Sequence, residues 1–321
     1  MTFHPDTLPD LKGKVFIVTG GNSGIGYYTV SHLASHGAHV YMCARSPQKG
    51  EAAIASIKKT HPSATISLLQ MDLMDLSSVV SAAQRFLSLE TSLHGLVNNA
   101  GVMATPFELT RDGHEAQWQT NYLSHWVLTE HLLPLMLQTA RSLSAAGSVR
   151  IVNLSSSGHL TAPKCGINFA DPSLKDSGPW QRYGQSKLAN ILHTKTLHRR
   201  FGPGSDSARA GRGEIWAAAV HPGIVETNLA SSVGEEGASM LGAINVVRKL
   251  GFTITADKGS WTSLFLVASR DMKPEQSGSY CEIHGRFGEP WWQSGPAKDA
   301  KLAERLEEWT GEVMRKEGWV R

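Results

Sequence analysis

From residue 14 onward, short runs of apolar and β-branched residues alternate with longer stretches in which apolar positions recur at helical spacing. That alternation predicts parallel strands joined by crossover helices. Lys14–Thr19 reads as the first strand, and further strands are expected at His39–Cys43, Thr65–Met71, Leu93–Asn98, Val149–Leu154, Ile215–Val220 and Tyr280–Ile283. These runs are nearly continuous in apolar character, as expected when helices cover both faces of a parallel sheet. Helices are expected at Gly24–Ser35, Gln48–Thr60, Leu76–Ser88, His114–Gln138 and Trp180–Arg200. Pro134 falls inside the fourth and should kink or divide it, because it lacks an N–H and its ring crowds the preceding turn.

The pattern describes an α/β fold, a doubly wound parallel sheet of about seven strands with helices on both faces. Residues 201–213 are rich in turn formers, but another strand follows at once, so they read as a surface connection within a single domain, 1–321. Residues 228–251 carry Met240, Leu241, Ile244, Val246 and Val247 among small and polar residues, which suggests a lid over a substrate or an ordinary packed helix. A helical tail is expected at 286–321, with a helix over Ala297–Lys316; Trp291, Trp292 and Trp309 should pack it onto the body.

Composition narrows the function classes. The 321 residues carry a formal charge of +3, and basic residues cluster no further than pairs such as Lys58-Lys59 and Arg199-Arg200, which argues against nucleic acid as a partner. No apolar run reaches the ~18 residues of a spanning helix, so no transmembrane segment is expected. Cys43, Cys165 and Cys281 cannot all pair with one another, and the N-terminal stretch carries prolines and aspartates where a signal peptide needs apolar residues. A cytoplasmic protein is expected. His32, His36 and His39 lie close together, but with no cysteine or carboxylate completing a ligand set they read as a solvated group, and no metal is expected.

Directly after the first strand comes Gly20-Gly21-Asn22-Ser23-Gly24-Ile25-Gly26, and a helix pattern follows. Glycines at 20, 24 and 26 would permit a tight turn and a close backbone approach, with the helix N-terminus facing a pyrophosphate. A strand-to-helix turn of purely structural purpose is the competing reading, and the strand–turn–helix context weakens it. At the end of the second strand, Ala44 stands where a carboxylate would favour NAD, and Arg45 offers a guanidinium to a 2′-phosphate.

The order of these and further segments resembles the short-chain dehydrogenase/reductase family, most closely its retinol dehydrogenase and WW-domain oxidoreductase branch. The resemblance is carried by Gly20-x-x-x-Gly24-x-Gly26, Asn98-Asn99-Ala100-Gly101, Asn121, Leu154-Ser155-Ser156, Tyr183-x-x-x-Lys187 and Pro222-Gly223, spanning about residues 12 to 285. It implies a Rossmann fold and a nicotinamide dinucleotide cofactor, NADP(H) in preference to NAD(H). It implies that Asp72 meets the adenine, that Asn98, Ala100 and Gly101 line its ribose side, and that Pro222, Val225 and Thr227 hold the nicotinamide. Asp72 or Asp75 could instead be a helix cap. Lys187 should also grip the nicotinamide ribose, and Asn121 should hold a water in a proton relay. Ser156 should orient the substrate oxygen, with Ser155 and Ser157 as its immediate alternatives.

Hydride transfer to a carbonyl leaves an oxygen that needs a proton, and Tyr183 is the expected donor. A free phenol is too weak an acid, with a pKa of about 10. Lys187 lies one helical turn further on the same face, and its ammonium at ~4.5 Å would stabilise a phenolate by roughly 3 to 4 kcal/mol, bringing the pair into play near pH 7 to 8. The expected protein is an NADP(H)-dependent oxidoreductase acting on a hydrophobic carbonyl or alcohol. Its rivals are a sugar-nucleotide epimerase on the same sheet and a dinucleotide sensor without turnover. A homodimer through the helices at 114–138 and 180–200 is compatible with the resemblance, although the tail and the stretch around 160–179 could obstruct it.

Overall fold

The apolar runs do become strands. In the computed structural model, which describes residues 3–143, 145–225, 253–282 and 293–321 together with Val233 and Gly242, they are β1 (Val15–Thr19), β2 (His39–Ala44), β3 (Thr65–Gln70), β4 (Gly95–Asn98), β5 (Arg150–Leu154), β6 (Trp216–His221) and β7 (Tyr280–Glu282). All pair in parallel in the order β3-β2-β1-β4-β5-β6-β7. Successive residues of a strand feed opposite faces. Val15 and Ile17 join one core cluster, whereas Phe16 and Val18 join the other. The strand order reverses between β1 and β4, and a crevice opens at the C-terminal ends of the strands there, as such topology dictates.

The crossovers are α1 (Gly24–Ser35), α2 (Pro47–Thr60) and α3 (Leu76–Leu89), then a composite helix. It begins as α4 (Ala116–Trp118), widens into a π turn at Gln119–Leu123 and continues as α5 (Ser124–Leu143). Of the two outcomes expected at Pro134, division does not occur, since α5 runs through it. Leu132, Leu133, Leu135 and Met136 around the proline are buried, and their packing outweighs one lost backbone bond. The break falls instead at the π turn, a feature often found at functional sites.

Pro179–Phe201 forms α6, followed by a single turn, α7 (Asp206–Arg209). α8 (Ala256–Ala268) has no counterpart among the elements read from the sequence. It is buried from Gly259 to Ala268 apart from Trp261, with three serine and threonine hydroxyls among the apolar residues, so it shows no clear apolar stripe against a polar face. Among the described residues no helix is long and apolar enough to cross a membrane. The lid expected at 228–251 and Trp291-Trp292 lie outside the described residues, apart from Val233 and Gly242.

The tail helix is split. Gly295–Lys298 forms α9 and Ala300–Lys316 forms α10, with Asp299 between them accepting from the backbone N–H groups of Lys301 and Leu302. Ala303, Leu306 and Met314 of α10 enter the core cluster shared with α5 and α6. The Tyr122 and Thr310 hydroxyls bond at 2.8 Å, the Trp126 indole donates to Glu307 at 3.1 Å, and Arg200 donates to Glu307 at 2.6 Å. Trp309 packs near Trp118 and Phe169, as expected of the tail. The tail therefore covers α5 and α6. Replacing Leu306 by Ala should lower the unfolding free energy by about 2 to 5 kcal/mol, read from the urea midpoint.

Candidate active site

The cofactor end is built where β1 stops. Gly20 has φ of +62°, a left-handed conformation that an L side chain would strain. At Gly26 a Cβ would overlap the Gly20 carbonyl oxygen, so α1 can approach the turn only with glycine there. Ser23 takes the N-cap place of α1 in extended backbone, but its hydroxyl makes no bond to the helix. The turn is tied to the end of β4: Asn99 donates its side-chain amide to the Thr19 carbonyl at 2.8 Å, and the backbone N–H groups of Asn99 and Ala100 donate to the Thr19 hydroxyl at 2.9 and 3.0 Å.

Beside this turn lies a crevice of about 240 Å³ whose walls include Gly20, Asn22, Ala44, Arg45, Asp72, Ala100 and Gly101. Arg45 is exposed at its rim and makes no ion pair among the described residues. The two candidate aspartates separate cleanly. Asp75 caps α3 by accepting from the N–H groups of Ser77 and Ser78, while Asp72 stays on the crevice wall. Asn98 departs from expectation. Only 2% exposed, it donates its amide to Asn153 at 2.8 Å and to Thr129 at 3.2 Å, so its side chain braces β4 against β5 and α5 instead of lining the crevice. The neighbouring Asn99 is the asparagine that faces the glycine turn.

At the reacting end, Tyr183 and Lys187 are 3% and 5% exposed. Lys187 Nζ lies 5.8 Å from the Tyr183 ring centre and donates to the Leu154 carbonyl at 2.9 Å. It lies near Gly101 of the crevice wall, for a Cβ on Gly101 would stand 3.2 Å from Nζ and 2.9 Å from Asn121 Oδ1. The serine run sorts itself. Ser155 is spent on the Lys187 carbonyl at 2.7 Å and Ser157 is exposed, whereas Ser156 hydrogen-bonds the Tyr183 phenol. Ser156 Oγ also accepts from the Gly158 N–H at 3.0 Å, which aims it.

The electrostatics correct the sequence-based expectation. Burial pushes the Tyr183 phenol up to about 12, with the Ser156 hydroxyl pulling the other way. Burial likewise brings Lys187 down to about 8. A Coulomb argument from helical spacing counts the attraction and leaves out desolvation, which disfavours the charged form of both groups. The pair thus presents a protonated phenol beside a lysine that carries its charge below about pH 8.

Asn121 sits in the π turn, fully buried. Its Oδ1 accepts from the Val102 N–H at 2.8 Å, and its amide donates to the Val102 carbonyl at 3.0 Å and to Ser186 at 2.9 Å. It clamps the wall next to Gly101 onto α6. His125, one turn later, went unnoticed in the sequence; it lies between Thr19 and Asn121, at 2.9 and 3.1 Å. No local pattern marks it, because its two partners come from β1 and from the π turn. Val225 pairs with Ile254 in an isolated bridge, and its side chain lies beside Gly259 near Ile25, at the start of α1. Pro222 is half-buried just past β6. Thr227 lies outside the described residues. Of the histidines near α1, His32 pairs with Asp257 at 2.6 Å and His39 with Glu90 at 3.0 Å.

A parallel doubly wound sheet with a glycine turn at its switch point and a Ser–Tyr–Lys group alongside defines a dinucleotide-dependent oxidoreductase. The profile of the short chain dehydrogenase family matches residues 14–170. The chain is 51% identical over 314 residues to the short-chain dehydrogenase/reductase drtF of Aspergillus calidoustus, covering 97% of each. It is 36% identical over 297 residues to retinol dehydrogenase 12 of Mus musculus, covering 92% of this chain and 84% of the other. Among solved structures, a putative uncharacterized protein from Mycobacterium paratuberculosis matches with a TM-score of 0.72 and 33% identity, covering 98% of both chains. The chain belongs to the short-chain dehydrogenase/reductase family.

Proposed function

We propose that this protein is an NADP(H)-preferring reductase or dehydrogenase of small hydrophobic carbonyls or alcohols, with Tyr183 as proton donor, Lys187 as its cationic neighbour, Ser156 as the orienter of the substrate oxygen and Asn121 as the residue that frames the proton relay. The observation that carries this reading is the grouping of Ser156, Tyr183 and Lys187, whose ammonium reaches the neighbourhood of Gly101, a residue of the glycine-turn crevice.

The residues present fit a dinucleotide. Glycine at 26 lets α1 close onto the turn, and glycine at 101 keeps a side chain out of the gap between the crevice and Asn121 and Lys187. Gly20, Asn22, Ser23, Gly24, Ile25 and Gly26 would hold the pyrophosphate, Asp72 the adenine, Ala100 and Gly101 the ribose wall, and Pro222, Val225 and Thr227 the nicotinamide end. Arg45, free of any ion pair among the described residues and with Ala44 in place of a carboxylate, favours a 2′-phosphate over a bare ribose hydroxyl. Bound NADPH supplies the hydride. The chain's own part is to hold the carbonyl oxygen between the Ser156 hydroxyl and the Tyr183 phenol, and to give that oxygen the phenolic proton. Lys187 then steadies the phenolate left behind. Leu160 and Ile224, large apolar side chains more than a third exposed, follow Ser156 and Pro222 closely in the chain and suit an apolar substrate. The three free cysteines fit a reducing compartment such as the cytoplasm.

The test is NADPH oxidation with a panel of ketones, aldehydes and quinones; binding of NADPH without turnover of any of them would favour the sensor reading instead. Tyr183→Phe should reduce turnover by about 100-fold or more while NADPH affinity, measured by titration calorimetry, stays close to wild type. Arg45→Ser should narrow the NADPH-over-NADH preference in kcat/KM by about tenfold or more, the value of a charged hydrogen bond. Because Lys187 loses its proton above about 8 while Tyr183 keeps its own to about 12, carbonyl reduction should fall as pH rises through 8, visible in a kcat/KM profile.

A further inference from the structure

Thr19 has one hydroxyl proton and a choice of where to send it. Its oxygen already accepts from two backbone N–H groups, those of Asn99 and Ala100. The Val97 carbonyl lies at 3.5 Å, whereas His125 Nε2 lies at 2.9 Å, so the proton goes to the imidazole. On its other side, His125 Nδ1 is 3.1 Å from the Asn121 carbonyl, an acceptor, and must therefore carry the ring's hydrogen. Burial pulls His125 down to about 4, so the neutral ring with one donor and one acceptor persists across the working pH range. Beyond Asn121 the chain continues: its amide donates to Ser186, whose hydroxyl donates to the Tyr183 carbonyl at 2.7 Å.

We infer that His125 is a positioning residue that joins the dinucleotide crevice to the proton-donating helix, holding Thr19 with its Nε2 and the π turn of Asn121 with its Nδ1–H. The inference rests on the dinucleotide reading above and deepens it. Thr19 fixes the 99–100 wall of the crevice, and the π turn fixes Asn121 against Val102 and α6. One ring thus registers the end of β1 against the π turn of the composite helix.

The two bonds can be cut separately. An asparagine places a donor near the Nδ1 position and cannot reach Thr19; a glutamine places an acceptor near Nε2 and leaves the Asn121 carbonyl. H125N should weaken NADPH binding by about tenfold with kcat nearly unchanged, and H125Q should lower kcat by about tenfold with NADPH binding nearly unchanged, each the value of one buried hydrogen bond. H125F should lose both. NADPH dissociation constants come from calorimetry and kcat from the best substrate of the carbonyl panel, with thermal midpoints recorded for every variant. ¹⁵N-histidine NMR should show His125 as the Nδ1–H tautomer, with its Nε2 resonance moved by T19V. Equal losses in H125N and H125Q, or a lowered thermal midpoint with both constants unmoved, would overturn the inference, as would an Nε2–H tautomer. If wild type binds NADPH but reduces nothing in the panel, the oxidoreductase reading fails while the tautomer and binding measurements still decide the role of His125.

Discussion

Lys187 brings an ammonium into a place nearly closed to water, and the surroundings are arranged to tolerate it. A buried charge is costly unless it is hydrogen-bonded. The Leu154 carbonyl at the end of β5 answers it, and that same oxygen is steadied by a second donor, the Asn190 amide at 3.0 Å. Ser155 in turn holds the Lys187 carbonyl. The strand end and the helix are therefore laced together by three bonds within one turn of the lysine, and Ser156, the next residue, inherits its position beside Tyr183 from that lacing.

The same logic explains why α6 is so polar for a buried helix. Gln185, Ser186, Asn190, His193, Thr194 and Thr196 are all buried, and each has a partner on another element: Gln185 reaches Pro172, Ser186 meets Asn121, Asn190 meets Leu154, His193 meets Glu307, Thr194 meets Asn153 and Thr196 meets Ala303. A helix whose inner face is polar is specified by what it must touch, and satisfied polar networks fix a unique arrangement where apolar packing would tolerate several.

Much of this was legible in the sequence. Continuous apolar runs marked all seven strands to within a residue or two, because a parallel sheet covered on both faces writes itself into the chain locally. The glycine spacing and the Tyr183–Lys187 interval were legible for the same reason. What escaped was set by residues distant in the chain. The role of Asn98 depends on Asn153 and Thr129, that of His125 on Thr19 and Asn121. α8 escaped because full burial erases the two-sided pattern that reveals a surface helix. The spacing of Tyr183 and Lys187 shows the attraction between them but not their desolvation, which is a property of the assembled fold.

The covering of α5 and α6 by α10 has a consequence for how the molecule comes into being. A ribosome releases the chain from its N-terminal end, and folding of the emerged part begins before synthesis is complete. The glycine turn and strands β1 to β5 precede α10 in the chain, so the flank of α6 that α10 covers is bare until α10 is made. A chain ending before residue 300 lacks the Ala303, Leu306 and Met314 side chains that complete this part of the core.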